Sequence, residues 1–159
     1  MASVFIGLGG NLADPVEQLK IAINSIEQLE ATQLVCCSQF YGSTPLGPED
    51  QPDFVNAVCQ IETELLPDVL LAALQTIEKT QGRIKKRHWG ERLIDLDILL
   101  YDNQAILSEH LTIPHVEIAN RDFVLIPLAE ISPSLVIPSK GSVEALISNL
   151  SETYLKPLK

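Results

Sequence analysis

The run Leu93-Ile94-Asp95-Leu96-Asp97-Ile98-Leu99-Leu100 sets two carboxylates two positions apart in an otherwise aliphatic stretch. On a β-strand the side-chain period of two puts Asp95 and Asp97 on one face, roughly 6–7 Å apart, with Ile94, Leu96 and Ile98 on the other. Two like charges in apolar surroundings are unfavourable unless a cation offsets them. Hard oxygen ligands suit Mg²⁺, which keeps several waters and takes one or two carboxylates together with substrate phosphates. An edge strand with a wet acidic face would give the same pattern without a metal, so both readings stand at this point.

The basic residues favour the metal. Of eleven Lys and Arg, five fall within ten consecutive positions: Arg83, Lys85, Lys86, Arg87 and Arg92. A solvated charge run is the plain alternative, but Gly82, Trp89 and Gly90 make an odd mixture for a surface helix. The segment ends three residues before Asp95. Magnesium and arginines around a transferring phosphate stabilise the charge that spreads over its oxygens in the transition state. A loop of this kind can also fold over a bound nucleotide and exclude water. A carboxylate pair beside a basic flap therefore reads as a phosphoryl-transfer site. The chain has no Gly-x-x-x-x-Gly-Lys-Ser/Thr, and Gly7-Leu8-Gly9-Gly10-Asn11-Leu12 has Leu12 where a dinucleotide fingerprint has its third glycine. These glycines are expected to make a tight turn with close backbone approach. A nucleotide must then be held by side chains and loops.

The elements that position these residues follow from periodicity. Ser3 to Leu8 reads as a strand. Asp14-Pro15-Val16-Glu17 is a strong helix start, with Asp14 as cap and Pro15 in the first turn. Val16, Leu19, Ile23, Ile26 and Leu29 continue a helical stripe. A second strand covers about Gln33 to Tyr41, and Gly42 to Asp53 form a long loop, a length usually functional or mobile. Phe54 to Glu64 alternate as a strand, and Pro67 opens a helix with Leu70, Leu74 and Ile77 on one face, ended by Gly82. Leu93 to Tyr101 is the next strand. The order strand, helix, strand, strand, helix, strand is the split βαβ pattern of a ferredoxin-like α/β sandwich, an α+β fold with a mostly antiparallel sheet and helices packed on it. Beyond Asp102 only short strands, turns and short helices are expected around Pro114, Pro127, Pro133 and Pro138. No linker divides the chain, so residues 1–159 are expected to form a single domain.

Composition bounds the partners. The 159 residues are 46% hydrophobic, 20% charged and only 5% aromatic, which suits one domain with an aliphatic core. The formal charge of −10 argues against nucleic acid or an anionic membrane as main partner. The longest apolar stretch, Val69 to Leu74, is too short to span a bilayer, and the amino terminus lacks a secretory pattern. A cytoplasmic monomer acting on small molecules is expected. Cys36, Cys37 and Cys59 have no metal-ligand spacing and read as reduced packing residues.

The chain also resembles the 6-hydroxymethyl-7,8-dihydropterin pyrophosphokinase family over nearly its whole length. The residues that carry the resemblance are Gly7-Leu8-Gly9-Gly10-Asn11-Leu12, Pro45-Leu46-Gly47-Pro48, Gln51-Pro52-Asp53-Phe54-Val55-Asn56, Glu78, Gly82-Arg83, Trp89-Gly90-Glu91-Arg92-Leu93-Ile94-Asp95-Leu96-Asp97, Pro114-His115 and Arg121-Asp122-Phe123 through Leu128. The resemblance implies transfer of pyrophosphate from ATP to the hydroxymethyl group of a dihydropterin, yielding AMP, in folate biosynthesis. It implies two Mg²⁺ ions on Asp95 and Asp97, with Asp97 also helping to accept the hydroxyl proton. The pterin would stack between Phe54 and Phe123, with Asn56 reading its polar edge, Ser43 and Leu46 lining it and Trp89 capping it. Arg83 and Arg92 would contact the phosphates in transfer. Gln75, Glu78, Lys86, Ile98, His110, Thr112, His115 and Arg121 would surround the nucleotide. Departures from the family pattern fall at Gly10, Lys85, His88, Glu91 and His110. Lysine cannot make arginine's bidentate fork, and Glu91 adds a negative charge near the phosphates.

Two other functions fit parts of the pattern. Nucleotidyl- and glycosyltransferases also hold metal on Asp-x-Asp pairs, but they leave Phe54-Val55-Asn56 unexplained. A non-catalytic ferredoxin-like binding domain leaves the aspartates and the five adjacent cations without a purpose.

Overall fold

The computed structural model describes residues 1–12, 14–43, 53–82, 94–150 and 156–157. Its central sheet is built on β1 (Ala2–Gly10), which pairs antiparallel with β4 (Phe54–Thr63) on one side and β5 (Asp95–Tyr101) on the other. The far side of β4 is lined by β2 (Thr32–Cys37) at one end and β3 (Tyr41–Ser43) at the other, and the short β10 (Lys156–Pro157) pairs with β3. With helix α1 (Pro15–Glu27) between β1 and β2, and α2 (Pro67–Thr80) between β4 and β5, this is the ferredoxin-like arrangement.

Alternation along the strands buries both faces. Val4, Ile6 and Leu8 join Val55, Ala57, Cys59, Ile61, Ile94, Leu96 and Ile98 on one face, where α1 contributes Leu19, Ala22 and Ile26 and α2 contributes Leu70, Leu74 and Ile77. Phe5, Val58 and Leu99 point the other way, into a second core with Val124, Leu125 and Leu128 of α3 (Asp122–Ile131) and Val143 of α4 (Val143–Ser148). Among the described residues the second core covers only part of its face, and Phe54, Asn56, Asp95 and Asp97 lie on the remainder.

Helix α1 starts as expected: Asp14 is its cap, with the carboxylate facing the Glu17 amide at 3.5 Å. Four expectations need correction. The strand expected over Gln33–Tyr41 is broken at Ser38–Phe40, because Ser38 bonds to Val58 through both its amide and its hydroxyl while the Gln39 amide turns to Glu130. Strand pairing resumes as far as Ser43, inside the expected loop; 44–52 lie outside the described residues. The glycines after Leu8 do not form a turn, since β1 runs on to Gly10 in full register with β4. Finally, α3 is a ten-residue helix that passes through Pro127. That proline lacks only one amide donor, and the helix is held instead by its buried Val124, Leu125 and Leu128.

The remaining short pieces are β6 (Ile106–Leu107) with β7 (Thr112–Ile113), a 3₁₀ turn at Ile118–Asn120, and β8 (Val136–Ile137) with β9 (Gly141–Ser142). No helix among the described residues is long and apolar enough to cross a membrane. The three thiols are free; Cys37, packed against Cys59, is pushed up to about 11 by burial first and then by Cys36 and Glu130. Such thiols are unreactive near neutral pH.

Candidate active site

Directly paired residues in an antiparallel sheet share a face. One row across the sheet reads Tyr41, Asn56, Gly9, Asp95, and the neighbouring row reads Val58, Gly7, Asp97. Ser43 lies opposite Phe54. Phe54, Asn56, Asp95 and Asp97 therefore project from the α3 side of the sheet, as does Val58 in its core. The glycine opposite each aspartate puts no β1 side chain at that position, and neighbours lean into the space: at Gly7 a Cβ would lie 3.4 Å from the Leu99 side chain. At Gly9 the space is taken from the other side, since a Cβ there would lie 2.8 Å from Asn56 Oδ1. Asn56 is buried against this glycine.

Among the described residues strand β5 pairs within the sheet only with β1, so its outer edge must find other partners. Glu78 of α2, itself buried, accepts the Leu96 amide at 2.8 Å. That contact fixes the strand midway between the two aspartates. Farther along, the His115 amide donates to the Leu99 carbonyl at 3.0 Å. Asp97 has a side chain 49% exposed, and His115 Nε2 stands 4.0 Å from its Oδ2. Half-exposure relieves much of the strain expected of two acids in an apolar run. The edge strand and its wet aspartate thus match both sequence readings, and the glycines opposite are what distinguish this face from an ordinary acidic edge.

His115 Nδ1 accepts the Glu117 amide at 3.1 Å, which leaves Nε2 to carry the proton of the neutral ring toward Asp97. Burial lowers the His115 pKa below its ordinary 6.5; Asp97 pulls it up, Arg121 pushes it down and Glu117 pulls it up. The neutral ring is accordingly favoured by folding. An unfolded chain takes up this proton first as pH drops through 6.5, so the contribution to stability is full above that pH and declines below it. In a metal-free NMR titration His115 is expected to titrate below 6.5, and lower still in Asp97→Asn, because the group that pulls it up has lost its charge. A midpoint that rises in that variant contradicts this electrostatic account.

A cleft of about 290 Å³ opens beside β5, lined by Leu71, Leu96, Asp97, Ile98, Glu109, His110, Leu111, Thr112, His115 and Val116. It brings together Asp97, Ile98, His110, Thr112 and His115. Gln75 lies exposed on α2, one turn from Leu71 of the cleft and three residues before Glu78. The Arg121 guanidinium stands over the Phe123 ring, 5.3 Å from its centroid, at the start of α3. Such a contact contributes on the order of 0.5–1 kcal/mol and holds both side chains at that helix end. Arg83, Lys86, Trp89, Arg92 and Leu46 lie outside the described residues. The sequence did not mark Leu71, Leu96, Glu109, Leu111 and Val116 as cleft walls: Leu71 and Leu96 belong to elements that read as core, and the two-residue strands β6 and β7 beside Glu109, Leu111 and Val116 are too short to show periodicity.

The donor set suits Mg²⁺. Among the described residues no group of three or more His, Cys, Asp and Glu could hold a metal. Two carboxylates alone leave most of an octahedral shell to water and phosphate oxygens, which is how Mg²⁺ is commonly held beside nucleotides.

Comparison with known proteins accords with this geometry. Residues 5–133 match the family model described as 7,8-dihydro-6-hydroxymethylpterin-pyrophosphokinase. A 2-amino-4-hydroxy-6-hydroxymethyldihydropteridine pyrophosphokinase of Haemophilus influenzae is 53% identical over 152 residues, 96% of this chain and 95% of that protein. Its Pseudomonas aeruginosa counterpart is 46% identical over 145 residues, 91% of this chain and 90% of that one. Among solved structures, Plasmodium falciparum HPPK-DHPS with pteroate superposes at a TM-score of 0.75 and 13% identity, over 92% of this chain and 42% of that larger one, a likeness of fold. With a matched model over most of its length and near-full-length relatives this similar, the chain belongs to the 7,8-dihydro-6-hydroxymethylpterin-pyrophosphokinase family.

Proposed function

We propose that this pyrophosphokinase works as a single domain spanning residues 1–159, on the glycine-floored face of its sheet. There it transfers pyrophosphate from ATP to the hydroxymethyl group of 6-hydroxymethyl-7,8-dihydropterin, releasing AMP. The observation that carries the assignment of roles is the shared face of Phe54, Asn56, Asp95 and Asp97, with Gly7 and Gly9 between them. Asp95 and Asp97 hold two Mg²⁺ ions. Bound there, the metal neutralises triphosphate charge and polarises the phosphorus under attack.

The chain's own residues do the rest. Phe54 and Phe123 receive the flat pterin, Asn56 bonds its polar edge, and Ser43, Leu46 and Trp89 border it. Gln75, Glu78, Lys86, Ile98, His110, Thr112, His115 and Arg121 surround the nucleotide. Glu78 acts mainly by fixing β5, given its bond to the Leu96 amide. Neutral His115 offers its Nε2–H to a phosphate oxygen beside Asp97. Arg92, three residues from Asp95 in the chain, and Arg83 bring cationic charge to the transferring group. Asp97 also accepts the hydroxyl proton as the oxygen bonds to the β-phosphorus and the bond to the AMP oxygen breaks. Partners are small molecules, with neither nucleic acid nor membrane among them, and the chain is a cytoplasmic monomer.

The test is to incubate the protein with Mg²⁺, ATP and the dihydropterin and to separate the nucleotides. AMP formation that requires both the metal and the pterin is the expected result. ADP, or no turnover, overturns the reading.

A further inference from the structure

The break between β2 and β3 is closed by a side chain from another layer. The Glu130 carboxylate, in the last turn of α3, accepts the Gln39 amide at 2.9 Å through Oε2 and 3.2 Å through Oε1. The buried Tyr41 phenol donates to the same Oε1. Tyr41 is the register partner of Asn56 and stands two residues before Ser43. Glu130 is seven residues from Phe123 on one helix, roughly 10 Å along its axis. One end of α3 is thus tied to the strand that carries Ser43, and the other end carries Phe123.

Apolar packing alone would not fix that relation. Contacts of Val124, Leu125 and Leu128 with Val58 and Phe5 hold α3 on the sheet, but burial is non-directional and tolerates small slides and rotations. Hydrogen bonds are directional, and those to a carboxylate are the stronger kind. Burial first, and then Glu130, push the Tyr41 phenol up to about 12, so it remains a donor across the working range of pH.

We infer that Glu130 and Tyr41 form a clamp that sets the spacing between α3 and strands β3 and β4, and so are positioning residues for the dihydropterin. The inference rests on the pterin assignment of Phe54, Asn56 and Phe123 made above. Neither clamp residue touches substrate. Each acts through the placement of Phe123 relative to Phe54 and Asn56.

The test varies each substrate in turn for the full chain and the variants Glu130→Ala, Glu130→Gln and Tyr41→Phe, following AMP. Loss of charge-assisted bonds in Glu130→Ala is expected to raise KM for the dihydropterin about tenfold while KM for ATP stays within about twofold. Tyr41→Phe gives a smaller shift of the same kind. Glu130→Gln, which keeps an acceptor for Gln39 and a polar partner for Tyr41, recovers most of the affinity. If Glu130→Ala fails to fold, Tyr41→Phe carries the comparison, since it deletes one hydroxyl. A fall in Tm with the dihydropterin KM unmoved, or an equal rise in both KM values, overturns the clamp. Wild-type protein that makes no AMP overturns the functional reading, and the clamp with it; active wild type with unmoved variants overturns the clamp alone.

Discussion

Asp97→Ala is expected to lower kcat by a factor of 10³ or so, at the upper end of what removing one preorganised electrostatic group does. The fold should survive. Asp97 is half exposed, so the truncated side chain leaves no buried cavity. Its removal also relieves repulsion from Asp95 two residues away on the same face. Surface changes of this kind stay within about 0.5 kcal/mol of stability, so Tm without metal is unchanged or slightly raised. Calorimetry beside the kinetic assay separates the outcomes. Loss of activity together with loss of the folding transition would make the aspartate structural and remove the basis for its role.

The second large effect is expected at Gly9. A methyl placed there lies 2.8 Å from Asn56 Oδ1, closer than real side chains approach. The register leaves Gly9 between Asn56 and Asp95, so the backbone on both sides is fixed by pairing. Asn56 must then turn, and its amide leaves the position from which it would read the pterin. Gly9→Ala should raise the dihydropterin KM by roughly two orders of magnitude, since a site built around a hydrogen bond discriminates strongly once the partner is misplaced. Gly9→Val should extend the effect to kcat by intruding on the space beside Asp95. At Gly7 the nearest neighbours are Leu99 side-chain atoms at 3.4 Å, so Gly7→Ala is much milder. Equal effects at the two glycines would mean that Asn56 is not what Gly9 makes room for.

Much of this was legible in the sequence because it depends on local period. Strand alternation around Asp95 and Asp97 places both on one face, and the apolar stripes of Leu19–Ile26 and Leu70–Ile77 mark the two helices. The β1 glycines were harder. A glycine cluster after a strand reads as a turn when its partners are unknown, and only the pairing with Asn56, Asp95 and Asp97 explains glycine within a continuing strand. The break at Ser38–Phe40 is likewise set by contacts distant in sequence, with Val58 and Glu130. Pro127 hid α3, whose stability comes from packing on β4 and not from helix propensity. The clamp between Glu130 and Tyr41 joins residues 89 positions apart, and no local pattern announces it.

If the carboxylates of Asp95 and Asp97 hold the metal that binds the triphosphate, metal binding must depend on them. Titrating Mg²⁺ into wild-type protein and Asp97→Ala, each with a non-hydrolysable ATP analogue, and measuring bound metal decides this. Wild type should bind the ion pair with the nucleotide, and the variant should lose at least one ion while remaining folded. Unchanged metal binding in the folded variant would contradict that dependence.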